Sequence, residues 1–196
     1  MRRSSVVLLA CVLAAFTVTP ASASPAPPFQ PPESAARTSP EVPAAIAGHR
    51  GAPGDGWTPA PSDPFDREAG VLCDFAIHAE PIVDEVKVKT LEAYPDGSAK
   101  RVAVTGALVF RVTNVETGKV TKADASGEGF VEYGTDTSMI WYSKGPVLLG
   151  FREDAGTLPR GLWIVDGLYT VDFNAELDKN VRIGYGRTHN VCDDLD

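Results

Sequence analysis

Through the C-terminal two thirds of the chain, apolar and polar residues alternate with a period of two. Cys73, Phe75 and Ile77 interleave with Asp74, Ala76 and His78, the pattern of a half-buried strand, and Pro81 is expected to end it. Val86 and Val88 alternate with Lys87 and Lys89 in a second strand that closes on Pro95-Asp96-Gly97, a turn tripeptide. The third is the clearest: Val102, Val104, Gly106, Leu108, Phe110 and Val112 share one face, with Ala103, Thr105, Arg111 and Thr113 on the other. Asn114 to Gly118 turns the chain into a polar, glycine-interrupted fourth strand from Val120. Thr137–Tyr142 and Val147–Phe151 supply a fifth and a sixth, and a ten-residue loop, Arg152 to Gly161, follows. Trp163, Val165, Gly167, Tyr169, Val171 and Phe173 line one face of a seventh strand. Asp178-Lys179-Asn180 turns into an eighth, where Val181, Ile183 and Tyr185 alternate with Arg182, Gly184 and Gly186. No twelve-residue stretch carries a 3.6-residue period, so residues 71–196 are expected to be all-β.

Short connections between successive strands favour an antiparallel meander. Eight strands suffice to close a small lipocalin-like barrel around a filled interior or one ligand cavity; a two-sheet β-sandwich built from the same strands is the alternative.

The pattern is absent upstream. Residues 24–70 hold eleven of the sixteen prolines and only three aromatics, Phe29, Trp57 and Phe65. Such a segment buries too little apolar area to offset its ordering entropy and is expected to be a disordered Pro/Ala-rich arm; isolated aromatics in such arms, here Trp57 and Phe65, often pack on a domain's edge. Residues 1–23 read as a signal peptide: Arg2 and Arg3, an apolar stretch from Val6 to Val18, then Ala21-Ser22-Ala23. The alternative is a lipid anchor at Cys11 within Leu8-Leu9-Ala10-Cys11. Removing residues 1–23 takes two of the eighteen basic residues and none of the twenty-six acidic ones, moving the net charge from −8 to −10. That balance argues against a nucleic-acid partner, whose phosphates demand clustered Lys and Arg. No apolar run after the N-terminus is long enough to span a bilayer as a helix. The expectation is a secreted, monomeric domain.

Export gives the cysteines a meaning. Loss of Cys11 leaves Cys73 and Cys192, an even pair in an oxidising compartment, and so a disulfide. In an even-stranded meander the start of the first strand lies beside the end of the last, which puts these two thiols together.

Four short segments, Cys73-Asp74-Phe75, Asn114-Val115-Glu116-Thr117-Gly118-Lys119, Gly167-Leu168-Tyr169-Thr170-Val171-Asp172-Phe173 and Val191-Cys192-Asp193-Asp194-Leu195, resemble a group of small exported proteins of actinomycete bacteria. The resemblance spans most of 73–195, departs from the pattern over Ser138–Gly150, and implies an exported, barrel-like β domain with no activity carried over.

The chemistry on offer is thin. His49, His78 and His189 have no partner at zinc-ligand spacing, and no nucleophile elbow or phosphate-cradling loop occurs. Glu153-Asp154 with Asp166 offers a carboxylate pair for acid–base work or calcium, but loop acids in so acidic a protein are read as solvated, and Asp193-Asp194-Asp196 as a solubilising end. No catalytic residue, metal or cofactor is expected. The aromatics Phe110, Trp141, Trp163, Tyr169 and Tyr185 are placed on the interior faces, either as core filling or as the lining of a cavity. Trp141 and Tyr142 are neighbours, so one faces in and the other out. The expected function is a non-catalytic binding domain for a small apolar ligand or an extracellular protein. The alternative is an isomerase- or cyclase-like enzyme in a small barrel, with Asp166 or Glu132 as its buried ionisable group.

Overall fold

A computed structural model of the chain describes residues 56–196, all within the unit Thr38–Asp196. The signal segment, Cys11 and residues 24–55 of the arm lie outside the described residues. The described chain is all-β. After β1 (Thr58–Pro59) and β2 (Phe65–Arg67) come β3 (Ile77–Asp84), β4 (Lys87–Ala93), β5 (Ala99–Thr105), β6 (Leu108–Asn114), β7 (Val120–Asp124) and β8 (Glu128–Tyr133). β9 (Met139–Lys144), β10 (Val147–Phe151), β11 (Gly161–Phe173) and β12 (Lys179–Asn190) follow, and a short 3-10 turn at Val191–Asp194 ends the chain. All strand pairings are antiparallel.

They build two sheets. The smaller runs β2-β3-β6-β7, the larger β1-β4-β5-β8-β9-β11-β10, with β12 also on β11. β11 accepts β10 along residues 161–165 and β9 along 168–173, while β12 runs along 163–173 on the opposite edge.

The sheets are joined by strands that pass from one to the other. β3 becomes β4 across Glu85-Val86 alone, β5 becomes β6 across Gly106-Ala107, and β7 becomes β8 across Ala125–Gly127. At these corners the Glu85 N–H donates to the Ala107 carbonyl at 2.8 Å, and the Ala125 N–H to that of Leu108 at 2.8 Å. Gly106 makes the bend possible: its φ is +133°, and a Cβ there would sit 2.2 Å from the Glu85 carbonyl oxygen. The single strand expected over residues 102–112 is therefore two strands in two sheets. The period of two survives the break, so Val102 on one side and Phe110 and Val112 on the other all bury.

Pro81 does not end the first strand. It sits inside β3 at a register shift against β6, between Pro81 and Val83, a bulge that tolerates the missing donor. The Asp178-Lys179-Asn180 turn also moves: β12 already begins at Lys179, and the chain reverses over residues 174–178. The Pro95-Asp96-Gly97 turn forms as read, with Gly97 at φ +85° and the Asp96 carboxylate accepting from the Ser98 N–H at 2.9 Å.

The arm boundary at residue 70 shifts as well. β1 adds to the outer edge of β4 and β2 to β3, Ala60 is buried, and the Phe65 ring meets Phe110 edge-on at 5.8 Å. Strands of two and three residues leave no periodicity to read, and Pro59 is tolerated because β1 lies at an edge.

One core is shared by the two sheets, and a second is built from the larger sheet alone. Ile77, Phe110, Val112 and Ala123 of the smaller sheet pack with Leu162 of β11 and with Val191 and Leu195 of the terminal turn. A second cluster gathers Val131, Trp141, Phe151, Val165, Val171 and Phe173, with Trp141 and Phe173 ring centroids 5.0 Å apart. Cys73 and Cys192 are bonded, with Cα atoms 5.5 Å apart. The expected barrel does not form: among the described residues no sheet closes on itself, and β3 and β12 do not pair with each other. The disulfide ties the residue leading into β3, in the smaller sheet, to the turn after β12, in the larger. It links two sheets, the sandwich-like alternative, and closes neither.

Candidate functional site

The larger sheet buries one face and leaves the other open. On the buried side Val102, Val131, Trp141 and Val171 stand opposite one another across neighbouring strands. Shifting one residue along each strand turns every side chain over. The resulting outward row is Ala103, Phe130, Tyr142, Thr170 and Arg182, on β5, β8, β9, β11 and β12. Next to it runs Glu128, Lys144, Leu168 and Tyr185.

Outward rows of a sheet are normally polar, whereas this one is not. Phe130 is 49% exposed and Tyr142 42% exposed, and Leu168, Ile183 and Trp57 are exposed beside them. Together they line a solvent-open groove of about 870 Å³, within the size range of small-molecule sites. Scattered exposed apolar side chains are ordinary, but a contiguous set on one face marks a contact surface. Trp57, just before β1, reaches the groove because β1 pairs with β4 at Thr58↔Val88; the Lys87 ammonium lies 5.9 Å from its ring centroid. Glu128 and Lys144, opposite each other on β8 and β9, form an ion pair at 3.5 Å. Arg182 is exposed at the far end, with no carboxylate partner among the described residues.

The five aromatics expected to line an interior do not share one site. Phe110 belongs to the core under the smaller sheet, and Trp141 to that under the larger. Trp163 is half-buried, its indole N–H donating to the Pro159 carbonyl at 2.9 Å. Tyr169 is buried, donates to the Gly145 carbonyl at 3.2 Å and borders the groove; burial raises its phenol pKa above the ordinary range. Tyr185 is 82% exposed, contrary to the expected inward face. The reason is a register shift between Leu168 and Tyr169, which sets Tyr185 opposite Leu168 on the outward side. Of the neighbours Trp141 and Tyr142, the first faces in and the second out, as read.

The enzyme reading needed an unpartnered ionisable group. Glu132 instead takes the Arg101 guanidinium, with Nε at 2.8 Å, and Asp166 pairs with Arg187 at 3.4 Å. Among the described residues no three His, Cys, Asp or Glu side chains gather where they could hold a metal ion. His78 pairs with Asp66 at 2.7 Å and His189 with Asp194 at 2.9 Å. One buried cation escaped the sequence reading. Lys179 has its ammonium 5.5 Å from the Phe151 ring centroid and 5.6 Å from that of Phe173, and burial lowers its pKa to about 8.

Sequence reasoning missed the groove because its residues come from five strands and carry no local motif. The available signal was an aromatic at a position whose neighbours on the same face are charged: Phe130 between Glu128 and Glu132. No helix among the described residues is long and apolar enough to cross a membrane. No family model, no curated protein and no solved structure matches this chain.

Proposed function

We propose that this protein is an exported, non-catalytic binding domain that takes its ligand on the outward face of the larger sheet. The observation that carries the reading is the groove of about 870 Å³, walled by exposed Trp57, Phe130, Tyr142, Leu168 and Ile183 where a solvent-facing sheet should be polar. Export is supported by the Arg2-Arg3, apolar and Ala21-Ser22-Ala23 pattern and by the buried disulfide, which fits an oxidising compartment. The proposed kinship with exported actinomycete proteins rests on the four short segments at 73–75, 114–119, 167–173 and 191–195. A small apolar ligand is favoured over a protein because the groove's volume falls in the range of small-molecule sites.

Titration with the apolar fluorophore phenylnaphthylamine tests this reading. Binding should enhance the probe's emission and quench that of Trp57. Replacing both Phe130 and Tyr142 by Ala should weaken it about tenfold or more. Both side chains are already solvent-exposed, so stability should change by less than about 1 kcal/mol. A response unchanged in the double variant puts the ligand elsewhere and defeats the reading.

A further inference from the structure

Resting on the groove as the binding surface, we infer that its ligand is an amphipathic carboxylate: an acyl or aryl body whose head group is taken by Arg182. Polarity rises in one direction along the outward row. Phe130, Tyr142, Thr170 and Arg182 stand side by side on β8, β9, β11 and β12. Three strand spacings of about 4.8 Å put the apolar start roughly 14 Å from the cationic end. A medium-length chain laid across the strands would have its body over the two rings, while the Thr170 hydroxyl and the guanidinium would meet its head.

The charges select the sign of that head. Glu128, Lys144 and Arg182 are the charged residues lining the groove. Glu128 and Lys144 neutralise each other at 3.5 Å. Arg182 has no carboxylate partner among the described residues, so the groove carries one net positive charge in a protein of −8. A guanidinium presents two parallel donors to a carboxylate and binds it bidentately. A neutral chain leaves that fork unused, and a cationic one is repelled by it. The groove is also open to water, which suits a ligand with one apolar and one hydrated side. Lys89, opposite Ala103 on β4, continues the row beyond the groove without lining it.

Calorimetric titration of the full chain with dodecanoate, dodecanol and dodecyltrimethylammonium, each below its micellar concentration, tests the inference. Dodecanoate should bind about tenfold tighter than either of the others. Arg182→Gln should abolish that preference and leave dodecanol affinity unchanged, as expected for loss of one charge-assisted pair. Arg182→Lys should retain part of it. If Arg182→Gln leaves the preference intact, or dodecanol matches dodecanoate, the carboxylate inference is overturned; the groove reading survives that result if Phe130→Ala weakens both ligands. If Phe130→Ala changes neither, both fall. Binding to anionic phospholipid vesicles with none to monomeric dodecanoate overturns the inference in favour of a lipid surface.

Discussion

Lys179 shows how a single side chain carries a cost that the fold offsets around it. The residue is 6% exposed, and an ammonium removed from water is disfavoured unless it is compensated. The faces of Phe151 and Phe173 supply part of that compensation. In the folded protein the proton leaves near pH 8, against 10.5 for the ordinary side chain. Between those values the unfolded chain binds more protons, so stability rises with pH across this window. Measured against Lys179→Met, wild-type stability should climb from pH 8 to 10.5 by up to about 3 kcal/mol. Half-buried Tyr133 and buried Tyr169, whose pKa values are raised by desolvation, pull the other way above pH 10, but they are common to both proteins and cancel in the difference. A difference that stays flat with pH would contradict a desolvated ammonium. At the same scale, Trp141 and Tyr142 were legible as one inward and one outward residue because strand alternation is strict. Tyr185 was not, because the register shift beside Leu168 changes its face without altering the local pattern.

At the scale of the element, alternation located the strands but could not say where they change sheets. Residues 102–112 read as one strand because Val102, Val104, Leu108, Phe110 and Val112 keep one parity through the corner at Gly106-Ala107. The signal of the corner was Gly106 itself, an interior glycine in an otherwise well-formed strand pattern. Its role makes a sharp contrast with Gly97. Gly106→Ala puts a methyl 2.2 Å from the Glu85 carbonyl oxygen at φ +133°, whereas Gly97 has open space around it at φ +85°. Gly106→Ala should therefore cost more than about 3 kcal/mol and Gly97→Ala about 1, as measured by denaturant unfolding. Equal costs would show that the corner is not held by that close approach. β1 and β2 were missed for a different reason: strands this short are held by backbone pairing to β4 and β3, and a proline-rich segment gives no side-chain period to announce it.

For the whole molecule, the cysteine pairing was readable from compartment and parity, but what it holds together was not. Sequence order put Cys73 and Cys192 at the two ends of the ordered chain, which suggested a cylinder closed edge to edge. Neither sheet closes, and the bridge joins the two where Ile77, Leu162, Val191 and Leu195 pack. It spans 119 residues, so reduction should lower stability by about 4–5 kcal/mol on the loop-entropy argument, visible as a reductant-dependent fall in the denaturation midpoint. An unchanged midpoint would mean that the clamp carries no constraint.

Placing the aromatics in two packed cores and an outward groove moves the proposed binding surface from the inside of the domain to its open face. Amide chemical-shift mapping of the isotope-labelled full chain during dodecanoate titration reads that location directly. The perturbed amides should cluster on residues 103–105, 128–130, 142–144, 168–170 and 182–184. Shifts centred instead on Ile77, Phe110 and Leu162, between the sheets, would contradict the account.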